Sequence, residues 1–265
     1  PPIFFLTTTT PYPLLSGLVG SEMCIKTGVI CSNCIRVIVM ETYNFSAGPA
    51  CLPKKVLVAA GDAAKQFRDT GMSIMEISHR SKTVMALFEE INFRITGLLN
   101  IPSNYHVLWL QGGASTQFSM VPLNLLPDGS CADYIDTGVW SSRAISECSK
   151  IGKANVIGSS KDDTYTFIPK ECPQNEESSY LHITSNNTIY GTQYKVNPEV
   201  LNPDGFLVAD MSSDILSKPI NVSEFGIIYA GSQKNMGPAG VTLVIIRDDL
   251  VGKNYRPLPT MLNYE

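Results

Sequence analysis

Residues 206–240 read FLVADMSSDILSKPINVSEFGIIYAGSQKNMGPAG. Two short apolar runs stand in this stretch, Phe206 to Ala209 and Ile227 to Tyr229. Each gives way at once to polar or turn-forming residues: Asp210 and a pair of serines after the first, a lysine among glycines and a proline after the second. Runs this short, bounded in this way, read as buried strands. The same texture continues outward, with candidate strands at Val107 to Leu110, Cys131 to Ile135, Asn155 to Ile157, Tyr180 to Ile183 and Val241 to Ile246. Val84, Leu87, Phe88, Ile91, Ile95 and Leu98 fall at spacings of three and four, which predicts one apolar stripe on a helix from about Lys82 to Leu99. Pro53 to Arg68 predicts a second helix, with the proline in its first turn and Gly71 just beyond its end. Strands alternating with helical periods predict an α/β fold on a seven-stranded, mainly parallel sheet flanked by helices.

The 265 residues suffice for one large α/β domain or two small ones, and an apolar content of 44% supplies a substantial core. Lys plus Arg number 20 against 24 Asp plus Glu; a net charge of −4 argues against a broad basic surface for nucleic acid or an anionic membrane. Any anion is therefore expected to be bound locally. Seven scattered cysteines, an odd count, do not resemble a secreted disulfide scaffold and point to a reducing compartment, the cytoplasm. Residues 1–40 differ in texture from the rest of the chain and are expected to be a non-native or disordered extension; SGLVGSEMCI at 16–25 resembles translated library adapter. Pro11, Pro13, Glu22 and Lys26 keep its apolar runs short of the roughly 20 residues a membrane helix needs, and Pro1 to Ser16 lacks the basic start of a signal peptide. Cys31 and Cys34 form a CxxC with no second pair to complete a zinc site, so no metal is expected. The remainder, residues 41–265, is expected to be one large domain, truncated at its C-terminus.

In open α/β sheets ligands bind outside the carboxyl ends of the strands, so polar residues directly after apolar runs are the candidates. Gln111 to Phe118, QGGASTQF, is a glycine-rich strand-to-helix turn, with the helix expected near Ser115. It is either only a turn or a cradle in which free N–H groups hold a phosphate. Asp210 is a carboxylate at the end of a buried run; it is either a helix cap or the partner of a cation such as a protonated heterocyclic nitrogen. Lys234 is either a solvent-exposed loop lysine or a desolvated amine able to attack a carbonyl. Its surroundings lack the GxxxxGK[ST] spacing of a nucleotide-binding P-loop. Trp140 offers a stacking face or a core indole, and Thr188 a hydrogen-bond donor to a phenolic oxygen or an ordinary turn residue. Together the five supply what pyridoxal phosphate requires: a phosphate cup, a stacking face, a partner for the ring hydroxyl, a carboxylate for the ring nitrogen and an amine for the aldehyde.

YNFSAGPACLP at 43–53, SHRSK at 78–82, GGASTQF at 112–118, DTGVW at 136–140, VADMSS at 208–213 and YAGSQKNMGPAGVT at 229–242 stand in the order of a known set of motifs. From Tyr43 to its end the chain resembles the phosphoserine aminotransferases, fold-type I pyridoxal-phosphate enzymes. That resemblance implies Lys234 as the covalent anchor and proton carrier, Asp210 on the pyridinium nitrogen, Trp140 stacked on the ring and Thr188 on its hydroxyl. It further implies Ala114, Ser115 and Gln233 around the phosphate, and His79 and Arg80 at the substrate acid. Arg80 read alone is equally a surface salt-bridge partner. Some members carry an arginine where Ser115 stands, which puts the contacts to a substrate phosphate in doubt. The family continues into a small domain holding another substrate-binding arginine, and into a loop that reaches the partner subunit of a homodimer. The implied reaction moves the amino group of L-glutamate to 3-phosphooxypyruvate, giving O-phospho-L-serine and 2-oxoglutarate for serine biosynthesis. The alternatives are a truncated, non-catalytic cofactor-binding form, or another member of the wider class such as an alanine:glyoxylate-type aminotransferase or a cysteine desulfurase. For a desulfurase, no cysteine lies in a convincing loop after the lysine.

Overall fold

A computed structural model describes residues 43–253 and 255–265. The expectations for residues 1–40, the Cys31/Cys34 pair among them, lie outside the described residues.

Seven strands form the main sheet: β1 (Tyr105–Leu110), β2 (Cys131–Asp136), β3 (Lys153–Ser159), β4 (Tyr180–Thr184), β7 (Phe206–Asp210), β8 (Phe225–Gly231) and β9 (Thr242–Arg247). Their order is β1-β9-β8-β7-β4-β2-β3. The pairs from β8 to β3 are parallel, and β9 runs antiparallel to both β8 and β1. Six strands therefore point the same way. Each expected strand is present, longer by a residue or two at its ends in most cases. A two-residue hairpin, β5 (Asn186–Asn187) with β6 (Thr192–Gln193), is additional.

The central strands β7, β8 and β9 are almost wholly apolar and buried because both faces of the sheet are covered there. On one face, Tyr134, Tyr180, Val208, Ile227, Tyr229 and Val244 pack against α3 (Gly113–Leu125) and α4 (Val139–Cys148) through Phe118, Val121, Leu125, Ala144 and Cys148. On the other, Ile135, Leu181, Ile183, Leu207, Ala209, Ile228 and Ile245 pack against Ile95 and Leu99 of α2 (Lys82–Leu99). The period-2 split of each strand between these two clusters fixes the register, since a slip of one residue exchanges the faces. α2 starts where Ser81 Oγ accepts the Val84 N–H at 3.3 Å and ends at a left-handed Asn100.

Two expected helix bounds shift by a few residues, and one helix is additional. The first helix, α1, spans Lys54–Lys65 rather than running to Arg68, because Gln66 turns extended and Arg68–Thr70 forms a separate 3-10 turn before the left-handed Gly71. The helix after the glycine pair begins at Gly113, two residues before Ser115, because left-handed Gly112 (φ 92°) already reverses the chain. α4 was not expected: its helical face is short, and Ser141, Ala144 and Cys148 are its buried side chains.

Candidate active site

The six co-directional strands deliver their carboxyl ends to one edge of the sheet, where residues from five of them line a single pocket. Gly113, Ala114 and Ser115 follow β1, Trp140 follows β2, Thr184 ends β4 with Asn186 in the hairpin after it, Asp210 ends β7 with Ser212 and Ser213 in the turn after it, and Gln233 and Lys234 follow β8. Residues remote in sequence converge because each follows its own strand.

The turn after β1 sets the first wall. Gly112 is the N-cap of α3 and offers no side chain to the free N–H groups of the first turn. Those of Gly113, Ala114 and Ser115 form the uncapped positive end of a helix beside the pocket. A Cβ at Gly112 would run into Thr116, whose Oγ1 donates to Gly112 O at 3.0 Å, so glycine is required by space as well as by its positive φ.

Trp140 forms a second wall and is held from behind. Asp136, buried at the end of β2, accepts hydrogen bonds from Ser141 Oγ (2.9 Å), Ser142 Oγ (2.8 Å) and Tyr165 OH (3.1 Å), which ties the strand end to the first turn of α4. The Arg143 guanidinium lies 4.9 Å from the indole centroid and the Lys234 amine 5.8 Å from it. The indole Nε1 is buried without a hydrogen-bond partner.

The hairpin β5–β6 supplies a third. Asn187 Nδ2 donates to Thr137 Oγ1 at 2.9 Å, joining this hairpin to the loop that carries Trp140. A Cβ at Gly138 would collide with Asn187 Oδ1, so the two loops approach each other only with glycine there. Asn186 and Ser213 exchange two hydrogen bonds, Asn186 Nδ2 to Ser213 Oγ at 2.8 Å and Ser213 Oγ to Asn186 O at 2.7 Å. Thr188 follows directly, and its Oγ1 accepts a hydrogen bond from Lys234 Nζ.

Asp210 and Lys234 face one another across the floor. Asp210 is 4% exposed and accepts the Ser212 N–H at 2.9 Å. Burial raises its pKa above the ordinary carboxylate value; the Ser212 hydrogen bonds and the Lys234 charge pull it down, and Asp214 adds to the rise. Lys234 is half-buried, and burial lowers its pKa against the opposing pull of Asp210 and Asp214. In a close ion pair each partner would favour the other's charged form. Here desolvation is the largest cause on both sides, so a carboxyl that holds its proton more tightly than usual sits near an amine that holds its proton less tightly than usual.

The structure thus brings Ala114, Ser115, Trp140, Asp210, Gln233 and Lys234 to one pocket, with Thr188 bonded to the lysine. His79 and Arg80 are exposed in the turn before α2 and do not line it, and among the described residues neither forms an ion pair. Sequence reasoning did not single out Asn186, Asn187 or Asp214 for roles, and weighed Ser212 only as a helix cap. All four directly follow buried strands, Asn186 and Asn187 after Tyr180–Thr184 and Ser212 and Asp214 after Phe206–Asp210, so the strand-end rule was able to find them. Gly48 was missed as well. A Cβ there would lie 3.3 Å from Lys234 Cγ, and the neighbouring Ala50 N–H donates to Gln233 O at 2.8 Å.

The profile of the class-V aminotransferases matches residues 42–260. The chain belongs to that family. A phosphoserine aminotransferase of Geobacillus kaustophilus is 53% identical over 228 residues, 84% of this chain and 62% of the relative. Among solved structures, the phosphoserine aminotransferase of Bacillus circulans subsp. alkalophilus superposes with a TM-score of 0.80 at 48% identity, over 84% of this chain and 62% of that one. The pyridoxal-phosphate-bound phosphoserine aminotransferase of Trichomonas vaginalis superposes with a TM-score of 0.77 at 35% identity, over 84% and 63%. The seven-stranded, mainly parallel sheet flanked by helices is the fold expected from the family resemblance. The chain spans about 62% of the length of the curated relatives it matches.

Proposed function

We propose that residues 41–265 form the cofactor-holding large domain of a pyridoxal-phosphate-dependent phosphoserine transaminase. The reaction is reversible transfer of the amino group of L-glutamate to 3-phosphooxypyruvate, giving O-phospho-L-serine and 2-oxoglutarate, a step of serine biosynthesis. The observation that carries this reading is the convergence of the Lys234 amine, the Asp210 carboxylate, the Trp140 ring and the uncapped end of α3 in one pocket. The names of the relatives support the choice of substrates.

Three features suit pyridoxal phosphate. The free N–H groups opening α3 match a phosphate dianion. The incompletely compensated Asp210 matches a protonated ring nitrogen. The Trp140 face matches a flat heterocycle. Bound there, pyridoxal phosphate supplies a carbonyl for amine exchange and an electron sink for a deprotonated substrate Cα.

The protein's part is then specific. Lys234 Nζ is the covalent anchor, and once displaced it is the base that takes the proton from the substrate Cα; desolvation favours the neutral form this needs. Asp210 holds a proton on the ring nitrogen. Thr188 Oγ1 orients Lys234 and would hydrogen-bond the ring hydroxyl. Ala114, Ser115 and Gln233 hold the phosphate. His79 and Arg80 bind the substrate acid, for which a guanidinium is suited.

A homodimer in the cytoplasm belongs to the same proposal. Two observations support the dimer. His79 and Arg80 stand exposed outside the pocket of their own chain, and α1 buries none of its side chains, leaving Val56, Leu57 and Val58 open. Among the described residues no helix is long and apolar enough to cross a membrane.

The test has two stages. Purified protein is incubated with pyridoxal phosphate and reduced with borohydride; wild type gains the pyridoxyl mass on Lys234 and Lys234→Ala does not. Amino transfer is then measured with the product of the full coding sequence, using phosphoserine, serine and alanine as donors. Equal rates with phosphoserine and serine would overturn the substrate assignment.

A further inference from the structure

The segment Asn44–Ala50 crosses directly over the lysine turn. Ser46 N–H donates to Asn44 Oδ1 at 2.9 Å, which folds the segment on itself, and Ala50 N–H donates to Gln233 O at 2.8 Å, which pins it beside Lys234. Gly48 is the point of closest approach. A Cβ built there meets Lys234 Cγ at 3.3 Å, Lys234 Cε at 3.5 Å and Gln233 Cγ at 3.8 Å. Gly48 has no positive φ, so glycine is not needed there for backbone conformation. What glycine provides at 48 is room along the lysine stem.

We infer that Asn44–Ala50 is a strap that positions Lys234, with Gly48 as the clearance that lets it lie along the stem. A lysine side chain turns about four bonds and, left to itself, spreads its amine over many positions. The strap passes so near that stem that an added Cβ at Gly48 would sit 3.3 Å from Cγ and 3.5 Å from Cε, while Thr188 receives the amine from the far end. The stem is thus confined at two points and the amine at one, which delivers Nζ to the floor shared with Asp210. The strap also excludes water from one side of the stem. This reading rests on Lys234 as the attachment point, and it makes Gly48 a positioning residue that itself touches no reacting atom.

The test is a steric series on this chain, Gly48→Ala and Gly48→Val, with Gly61→Ala as control, because a Cβ at Gly61 in α1 meets nothing within 4 Å. Two quantities are read. The first is the rate at which pyridoxal phosphate attaches to Lys234, trapped with borohydride and counted by peptide mass spectrometry. Misplacement of a reacting group by a fraction of an ångström slows such steps, and Gly48→Ala is expected to slow attachment about tenfold, Gly48→Val more. The second needs no cofactor: trace acetylation of Lys234 as a function of pH, referenced to Lys218 in the same chain. Whether the strap or the stem yields to the new methyl, their contact loosens and water enters, so the apparent pKa of Lys234 rises toward the ordinary lysine value. If Gly48→Ala lowers the melting temperature sharply, Ala50→Pro replaces it. That change removes the N–H that pins the strap and leaves the clearance at Gly48 intact, and it is expected to move both readings the same way. Unchanged attachment and unchanged acetylation in a folded Gly48→Ala, or in Ala50→Pro, overturn the strap. A wild type that takes up no pyridoxal phosphate overturns the proposed function and leaves the acetylation profile to judge the strap alone.

Discussion

Lys234 Nζ donates its hydrogen bond to Thr188 Oγ1, joining the turn after β8 to the hairpin that follows β4 across 46 residues of sequence. The two strands are not neighbours, since β7 lies between them. The bond therefore spans the carboxyl end of β7, whose last residue is Asp210. Removing the hydroxyl leaves a half-buried amine short of an acceptor. Thr188→Val is expected to cost about 1 kcal/mol in stability and to weaken pyridoxal phosphate binding about tenfold, whereas Thr188→Ser restores both. Chemical denaturation and an absorbance titration check this. A Thr188→Val protein that binds as tightly as wild type would show the hydrogen bond to be incidental.

Asp210 carries a stability cost in the cofactor-free protein. Its folded pKa lies above the ordinary 3.8, burial being the largest cause, so the folded state holds its proton more tightly than the unfolded state. Such a group destabilises the fold as pH rises from 3.8 through the folded value, and the full cost is present above that value. Asp210→Asn is therefore expected to stabilise the cofactor-free protein at about pH 7 relative to wild type, with the gain shrinking to nothing below pH 3.8. The same change removes the group proposed to hold a proton on the ring nitrogen, and amino transfer is expected to fall about 100- to 1,000-fold. Urea unfolding at several pH values gives the first quantity and steady-state rates the second. A variant less stable than wild type at neutral pH contradicts the desolvation account.

The uncapped start of α3 predicts dependence on the phosphate group. Inorganic phosphate is expected to compete with pyridoxal phosphate, and pyridoxal, which lacks the phosphate, is expected to bind at least about tenfold more weakly. Gly112→Ala puts a side chain at positive φ and against Thr116, costing about 1–2 kcal/mol from the left-handed backbone alone. It also tilts the N–H groups of Gly113, Ala114 and Ser115. The variant should lose the preference for pyridoxal phosphate over pyridoxal more than it loses affinity for pyridoxal. Parallel titrations of both ligands decide, and an equal loss for the two would place the phosphate elsewhere.

How far the sequence spoke for the site depends on what fixed each residue. Asp210 and Lys234 were legible because each follows a short apolar run, and the carboxyl end of a parallel strand is where a polar side chain meets a crevice. The central strands were legible for the same reason: burial on both faces leaves continuous apolar runs whose ends are sharp. α4 was not, because a ten-residue helix with three buried positions, two of them Ser141 and Cys148, leaves no apolar stripe to count. The hairpin β5–β6 was hidden because two-residue strands have no period, and its hold on Trp140 through Asn187 and Thr137 is a tertiary contact. Gly48 stood within a recognisable motif, yet its reason for being glycine lies 186 residues away at Lys234 and no local rule reaches that far.

Buried in the middle of β4, His182 gives the protein an acid-labile centre of the opposite sign to Asp210. Its Nε2 lies 2.7 Å from Tyr229 OH, its ring stacks on Tyr134 at 4.8 Å, and Tyr229 is register-paired with Asp210. Burial holds its pKa down, from 6.5 to about 3, so the imidazole is neutral in the folded protein. An unfolded chain binds that proton more readily. Stability is therefore complete above pH 6.5 and is lost, at about 1.4 kcal/mol per pH unit, as pH falls from 6.5 toward 3. His182→Gln keeps an acceptor for the Tyr229 hydroxyl and carries no titrating group. It is expected to be less stable than wild type at about pH 7 through imperfect packing, and to close that gap as the pH is lowered to about 4. Asp210→Asn moves the other way over the acidic part of the same range, so unfolding of the two single variants and the double variant at several pH values between neutral and about pH 4 separates the contributions. A gap between wild type and His182→Gln that stays constant over that whole range would mean that the buried imidazole is not what acid attacks.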